Sequence, residues 1–169
     1  HLKRQQRTIP ELLEDLARQF GYYRNELLNI VLPGIEGKQL MARMLDTLRS
    51  SPPKTLAGLP VIQLEDLLNE EGKLGPIKGD TDRASRNFLI FRLGGVSNPE
   101  AKVCLRPSGT EPKAKAYIEV CSAPCPTGTA DSDWDAIQKR IDELVQSLAT
   151  EFLALALGTV GVTPQPGAD

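Results

Sequence analysis

Residues 101–120 constrain the fold more than any other part of the chain, because two apolar-patterned segments meet there across a compact turn. Ala101-Lys102-Val103-Cys104-Leu105 lead into Arg106-Pro107-Ser108-Gly109-Thr110-Glu111-Pro112-Lys113, and Ala114-Lys115-Ala116-Tyr117-Ile118-Glu119-Val120 lead out. Apolar side chains that alternate or cluster on both flanks predict strands, and glycine with two prolines between them predicts a strand-to-strand turn. The turn is also chemically loaded. Arg106 offers a permanently charged planar fork that grips a phosphate with two parallel hydrogen bonds. Ser108 and Thr110 add hydroxyl donors. Gly109 is expected to turn the backbone with positive φ and to let its N–H approach an anion. Pro107 and Pro112 stiffen the loop. A plain hairpin turn with a basic flank is the other reading of the same residues.

The remaining periodicities supply the layers. Thr8-Ile9-Pro10-Glu11 has the pattern of a capping box, and Leu12, Leu13, Leu16 and Phe20 keep helical spacing up to Gly21. Residues 24–32 read as a strand, Pro33-Gly34 as a turn, and Lys38–Arg49 as an amphipathic helix. Val61–Leu68 read as a strand or a short helix, with a strand start favoured, residues 69–87 read as loop, and Phe88–Leu93 read as a strand. From Asp131 to Leu157, apolar residues from Trp134 to Leu155 recur every three to four positions, which predicts a long helix. Gly161–Asp169, with two prolines and two glycines, reads as a disordered tail. The expected fold class is α+β: a mainly antiparallel sheet with helices packed on one face, preceded by a separate helix.

Composition narrows the partners. A net charge of −2 recommends neither nucleic acid nor an anionic membrane. Lys102, Arg106, Lys113 and Lys115 nevertheless form a local basic island, sized for one phosphate group and not for a polyanion. No apolar run is long enough to span a membrane and no secretory signal is evident, so a cytoplasmic location is expected. The three cysteines form no paired framework. With one histidine in the chain, Cys121 and Cys125 lack further ligands for zinc, so reduced thiols and no metal site are expected.

The unbroken run Arg106 to Lys113 and the strand after it resemble the phosphate-binding loop of the α-D-phosphohexomutases, the family of phosphoglucomutase and phosphomannomutase. In that family the loop belongs to the last of four domains. The resemblance therefore implies that residues 1–23 are the end of a preceding domain with a hinge at Tyr22-Tyr23. Residues 24–157 would be the C-terminal phosphate-binding domain, and residues 158–169 a tail. It further implies a parent enzyme that moves a phosphoryl group between the 1- and 6-positions of a hexose through a phosphoserine and a bisphosphate intermediate.

Such a mechanism needs a site that holds whichever phosphate is not reacting. The resemblance assigns Arg106, Ser108, Gly109 and Thr110 to it, with Lys113 as a charge just outside direct contact. Glu111 would brace the loop through a backbone N–H or Lys113. Lys115 is either on the same side as Arg106 or a solvent-facing lysine. The implied partners are a hexose phosphate or bisphosphate and the parent's other domains, with no nucleic acid and no membrane. The chain is expected to carry no catalytic residue and no cofactor, with magnesium held by other domains of the parent, and to be inactive alone.

Two nearby runs resemble other loops of that family only faintly. Asp80-Thr81-Asp82-Arg83 has two aspartates where the magnesium loop has three. Ala84-Ser85-Arg86-Asn87 has arginine where the phosphoserine loop has histidine. Both read better as turn-forming aspartates and solvated arginines, the arginines at most drawing phosphate by field. The family's sugar-reading Gly-Glu-x-Ser-Gly run is missing. Phosphoglucose or phosphomannose is favoured by Lys113-Ala114-Lys115-Ala116-Tyr117, with phosphoglucosamine as the alternative sugar. A stand-alone phosphate-sensing or interaction module is the alternative outside enzymology.

Overall fold

The structure is a computed structural model that describes residues 8–32, 34, 36–94 and 99–164. The predicted turn at Pro33 and the end of the predicted tail, residues 165–169, lie outside the described residues. Helix α1 (Ile9–Phe20) opens on the expected capping box. The Thr8 N–H donates to the Glu11 carboxylate at 2.7 Å, the Glu11 N–H donates back to the Thr8 hydroxyl at 3.4 Å, and Pro10 sits in the first turn.

Strand β1 (Tyr23–Val31) follows, then helix α2 (Gly37–Ser50), a short strand β2 (Thr55–Leu56) and strand β3 (Leu59–Asp66). Helix α3 (Asp80–Ser85), β4 (Leu89–Leu93), β5 (Glu100–Pro107), β6 (Lys113–Cys121) and helix α4 (Asp131–Gly158) complete the order.

The six strands form one sheet in the order β1-β6-β5-β4-β3-β2, and every pairing is antiparallel. Strands β2 to β6 are a meander of successive hairpins. The chain crosses from one edge to the other through α2, so β1 lies beside β6. Strand β6 shows how the two faces divide. Ala114, Ala116, Ile118 and Val120 are buried, while Lys113, Lys115, Tyr117 and Glu119 alternate with them on the other face.

Helices α2 and α4 cover the apolar face, contributing Met44, Leu45 and Leu48 from one and Ile141, Val145, Leu148 and Phe152 from the other. The Phe91 ring meets Phe152 edge-on at 5.7 Å. Burying each such side chain stabilises the fold by about 1.5–3 kcal/mol, so this face holds the domain together. The opposite face carries the charged and polar groups of β6 beside a few exposed apolar side chains of β1, among them Leu27 and Val31.

Gly37 fixes how α2 seats. A Cβ at this position would stand 1.9 Å from the Leu32 carbonyl oxygen and 2.9 Å from the Pro112 Cβ. Only glycine lets the first turn of α2 lie against the end of the 108–112 loop, which is tied there by the Leu32 N–H donating to the Pro112 carbonyl at 3.0 Å.

The 69–87 segment departs from the expected loop. Asp80–Ser85 form a short helix, and Arg86, expected to be solvated, is 8% exposed. Its guanidinium donates to the Gly75 carbonyl at 2.7 Å and to Asp82 at 2.7 Å. Asp82 in turn accepts the Lys78 N–H at 2.9 Å. That backbone hydrogen bond, then Arg86, holds the Asp82 carboxyl below the usual carboxylate range. The clamp joins groups up to eleven residues apart, which local composition does not reveal.

Arg86→Leu is expected to lower stability by about 2–3 kcal/mol in a denaturant titration, since charged hydrogen bonds contribute about that much and their acceptors are left unpaired. Because the Asp82 value is lowered by folding, its contribution is complete above the ordinary carboxylate range. It is lost as pH falls through the lowered value, so the gap between variant and wild type narrows in acid.

Helix α1 is tied to the start of α4. The Arg18 guanidinium lies 5.5 Å from the centre of the Trp134 ring and donates to Asp131 at 2.8 Å, and Gln138 donates to Glu14 at 3.0 Å. Its apolar stripe points elsewhere: Ile9, Leu13, Leu16 and Phe20 are all exposed.

Candidate functional site

The register of β5 on β6 builds the site. Arg106, the next-to-last residue of β5, stands directly opposite Lys115 of β6, and directly opposed residues share a face. Alternation along β6 adds Lys113 and Tyr117 to that face. The result is a cavity of about 260 Å³ lined by Arg106, Pro107, Ser108, Lys113, Lys115 and Tyr117. It opens on the sheet face that α2 and α4 leave uncovered, where the 108–112 turn rises from the sheet.

Three cations meet there. Arg106 is exposed, and neither it nor Lys115 has an ion-pair partner among the described residues. Lys113 is paired with Glu111, which is the bracing role expected of that carboxylate. Three cations against one carboxylate leave an excess of two positive charges at the mouth, the complement of a phosphate dianion.

Ser108 organises the turn. Its N–H donates to the Lys113 carbonyl at 2.7 Å, and its Oγ accepts long hydrogen bonds from the N–H groups of Thr110 at 3.4 Å and Glu111 at 3.3 Å. The hydroxyl hydrogen stays available to donate outward.

Not every expected residue joins the cavity. Gly109 and Thr110 are exposed at the tip, outside the lining shared by Arg106 and Lys115. Gly109 instead borders a groove on the helix side, formed with Lys38, Met41 and Leu45 of α2. The expected positive φ at Gly109 is absent, and a Cβ there would meet nothing within 4 Å. The Ser108 hydroxyl and the two prolines shape this turn without a left-handed residue. With the Thr110 N–H turned toward Ser108, the expected nest of amides is partly occupied from within.

Lys102 leaves the basic island. It lies toward the far end of β5 and pairs with Glu119 at 2.7 Å. Burial pushes the Glu119 carboxyl up, but hydrogen bonds from Lys102 and Tyr23 outweigh it and hold the group below its usual value. Burial, then the hydrogen bond to Glu119, raises the Tyr23 phenol. A larger cavity, about 420 Å³, is lined by these residues and by Arg92. Its cations are already paired, Lys102 with Glu119 and Arg92 with Glu65, so it lacks the charge surplus of the loop cavity.

In the two runs near residue 80 the polar groups of Asp82 and Ser85 are engaged within the segment. Both Asp82 carboxylate oxygens are engaged, one by Arg86 and one by the Lys78 N–H. The Ser85 hydroxyl donates to the Asp82 carbonyl at 2.8 Å. These residues do not fit a magnesium ion.

Curated phosphoglucomutases are similar to this chain in sequence. One from Staphylococcus haemolyticus is 33% identical over 119 residues, covering 70% of this chain and 21% of that protein. One from Staphylococcus aureus is 32% identical over 147 residues, covering 86% of this chain and 24% of that protein. The chain matches one domain of a phosphoglucomutase. It spans between a fifth and a quarter of the length of these relatives. No family model matches it. No helix among the described residues is long and apolar enough to cross a membrane.

Sequence reasoning missed Tyr117 in this phosphoglucomutase-like domain and left Lys115 undecided. The signal was present in the period of two: if Lys113 faces the site, Lys115 and Tyr117 must follow it on the same face of β6.

Proposed function

We propose that this chain is the phosphate-holding domain of a phosphohexomutase, the C-terminal one of four, and that it binds the phosphate that is not reacting. The observation that carries the reading is the convergence of Arg106, Ser108, Lys113 and Lys115 on one cavity at the mouth of a stiff turn. Arg106 grips two phosphate oxygens, Lys115 takes a third from across the strand pair, and Ser108 donates its hydroxyl. Lys113 contributes charge through its pair with Glu111. Gly109 and Thr110 close over the anion from the tip, by the N–H of the first and the hydroxyl of the second.

The parent would be an intramolecular phosphotransferase acting on hexose phosphates in the cytoplasm, with phosphoglucose or phosphomannose as its sugar. The serine nucleophile and magnesium would reside in its other domains, and this domain alone would be inactive. Residues 1–23 would close the preceding domain, residues 24–157 form this one and residues 158–169 follow as a tail. The exposed stripe of Ile9, Leu13, Leu16 and Phe20 supports the first boundary, since a helix with an uncovered apolar face suits packing against a neighbouring unit.

The test is an amide NMR titration of the chain with inorganic phosphate and with glucose 1,6-bisphosphate, using sulfate as an ionic control. Saturable shifts are expected at Ser108, Gly109, Thr110 and Lys115, with a dissociation constant of about 1 mM, as suits a few charged contacts in an open site. Shifts spread evenly over surface lysines and arginines, or none at about ten times that concentration, would overturn the reading.

A further inference from the structure

The cavity extends beyond its cations. Tyr117 lies one alternation further along β6 than Lys115, on the same face and in the same lining. A two-residue step along a strand is about 6.8 Å, which carries the lining from the phosphate anchors to the position of the group that bears the phosphate. Tyr117 stands opposite Cys104 on β5 and Leu27 on β1, which hold the ring between apolar neighbours. Cys104 is buried, and burial raises its thiol, so it offers the ligand no charge. The Tyr117 hydroxyl makes no hydrogen bond among the described residues. A half-buried aromatic with an unengaged hydroxyl, placed beside a surplus of cations, suits a ligand that is anionic at one end and hydroxylated at the other.

We propose that Tyr117 reads the sugar: its hydroxyl donates to an oxygen of the hexose whose phosphate is held by Arg106 and Lys115. This rests on the phosphate-holding reading above and adds to it a contact that distinguishes a sugar phosphate from a bare phosphate. Tyr117 would thus be a specificity residue of this domain, independent of any sugar contacts made elsewhere in the parent.

The experiment compares wild type and Tyr117→Phe, which keeps the ring and its packing, in titrations with inorganic phosphate and glucose 6-phosphate at pH 8, where both are dianions. Wild type is expected to prefer glucose 6-phosphate. The variant is expected to lose about three- to tenfold of that preference, the worth of one hydrogen bond, with its affinity for inorganic phosphate unchanged. Equal wild-type affinities for the two ligands, an unchanged preference in the variant, or an equal loss for both ligands would each overturn the proposal. Wild type that binds neither ligand instead refutes the phosphate site itself, a result distinct from the other three.

Discussion

Arg106→Ala is expected to weaken inorganic phosphate binding by between about tenfold and about 150-fold, the equivalent of about 1.5–3 kcal/mol for a charged hydrogen-bonded contact. Arg106 is exposed and makes no ion pair among the described residues, so the fold should not notice its loss. Melting midpoints of variant and wild type should agree to within the effect of about 0.5 kcal/mol, the usual range for such surface changes. Lys115→Ala should act in the same direction, because its ammonium faces Arg106 across the pair of strands. Lys102→Ala should leave phosphate binding unchanged, since Lys102 pairs with Glu119 away from the loop cavity. An Arg106→Ala chain that binds phosphate as well as wild type would remove the guanidinium from the site, and one that melts early would give it a structural role instead.

Gly37→Ala should produce the largest loss of stability, about 3 kcal/mol, from a single added methyl group. The new Cβ would fall 1.9 Å from the Leu32 carbonyl oxygen and 2.9 Å from the Pro112 Cβ, both of which belong to the joint between β1, α2 and the 108–112 loop. Backbone must move to admit it, because the nearest obstacle is a carbonyl and not the end of a flexible side chain.

In a chain of this size the cost corresponds to a fall of about 6–12 °C in melting midpoint. Displacing Pro112 also shifts the turn on which Ser108 and Lys113 sit, so phosphate affinity should fall with stability. Gly109→Ala is the contrast: no atom lies within 4 Å of the added Cβ, and its φ is not positive. Stability should then change by less than about 0.5 kcal/mol. A Gly37→Ala chain as stable as wild type would show that α2 can pull back from Leu32 without cost.

The two glycines mark where sequence reading stops. Gly109 stands in a loop rich in proline and hydroxyl residues, and a left-handed turn was the natural expectation. The turn is closed instead by the Ser108 hydroxyl accepting from the Thr110 and Glu111 N–H groups. Gly37 stands before an ordinary amphipathic helix, and nothing local marks it as the point where α2 meets Pro112, seventy-five residues later. Arg86 gave the same lesson with charge: in a polar stretch it looked solvated, yet it is buried because the chain around Gly75 folds back to offer its carbonyl.

Whatever depends on periodicity within one segment was determined by the sequence alone. The capping box of α1, the apolar stripes of α2 and α4, the alternation of β6 and the hairpin between β5 and β6 all follow from spacing along the chain, and so does the presence of Arg106, Ser108 and Lys113 at one turn. Tertiary structure decided which groups meet. It brought Lys115 and Tyr117 into the cavity with Arg106, removed Lys102 to a pair with Glu119, and left Gly109 and Thr110 at the exposed tip of the loop, outside that lining. The reason is that a strand's own pattern says which side chains share a face, while only the register against its neighbour says which charge stands opposite which, and that register is set by packing across the whole sheet.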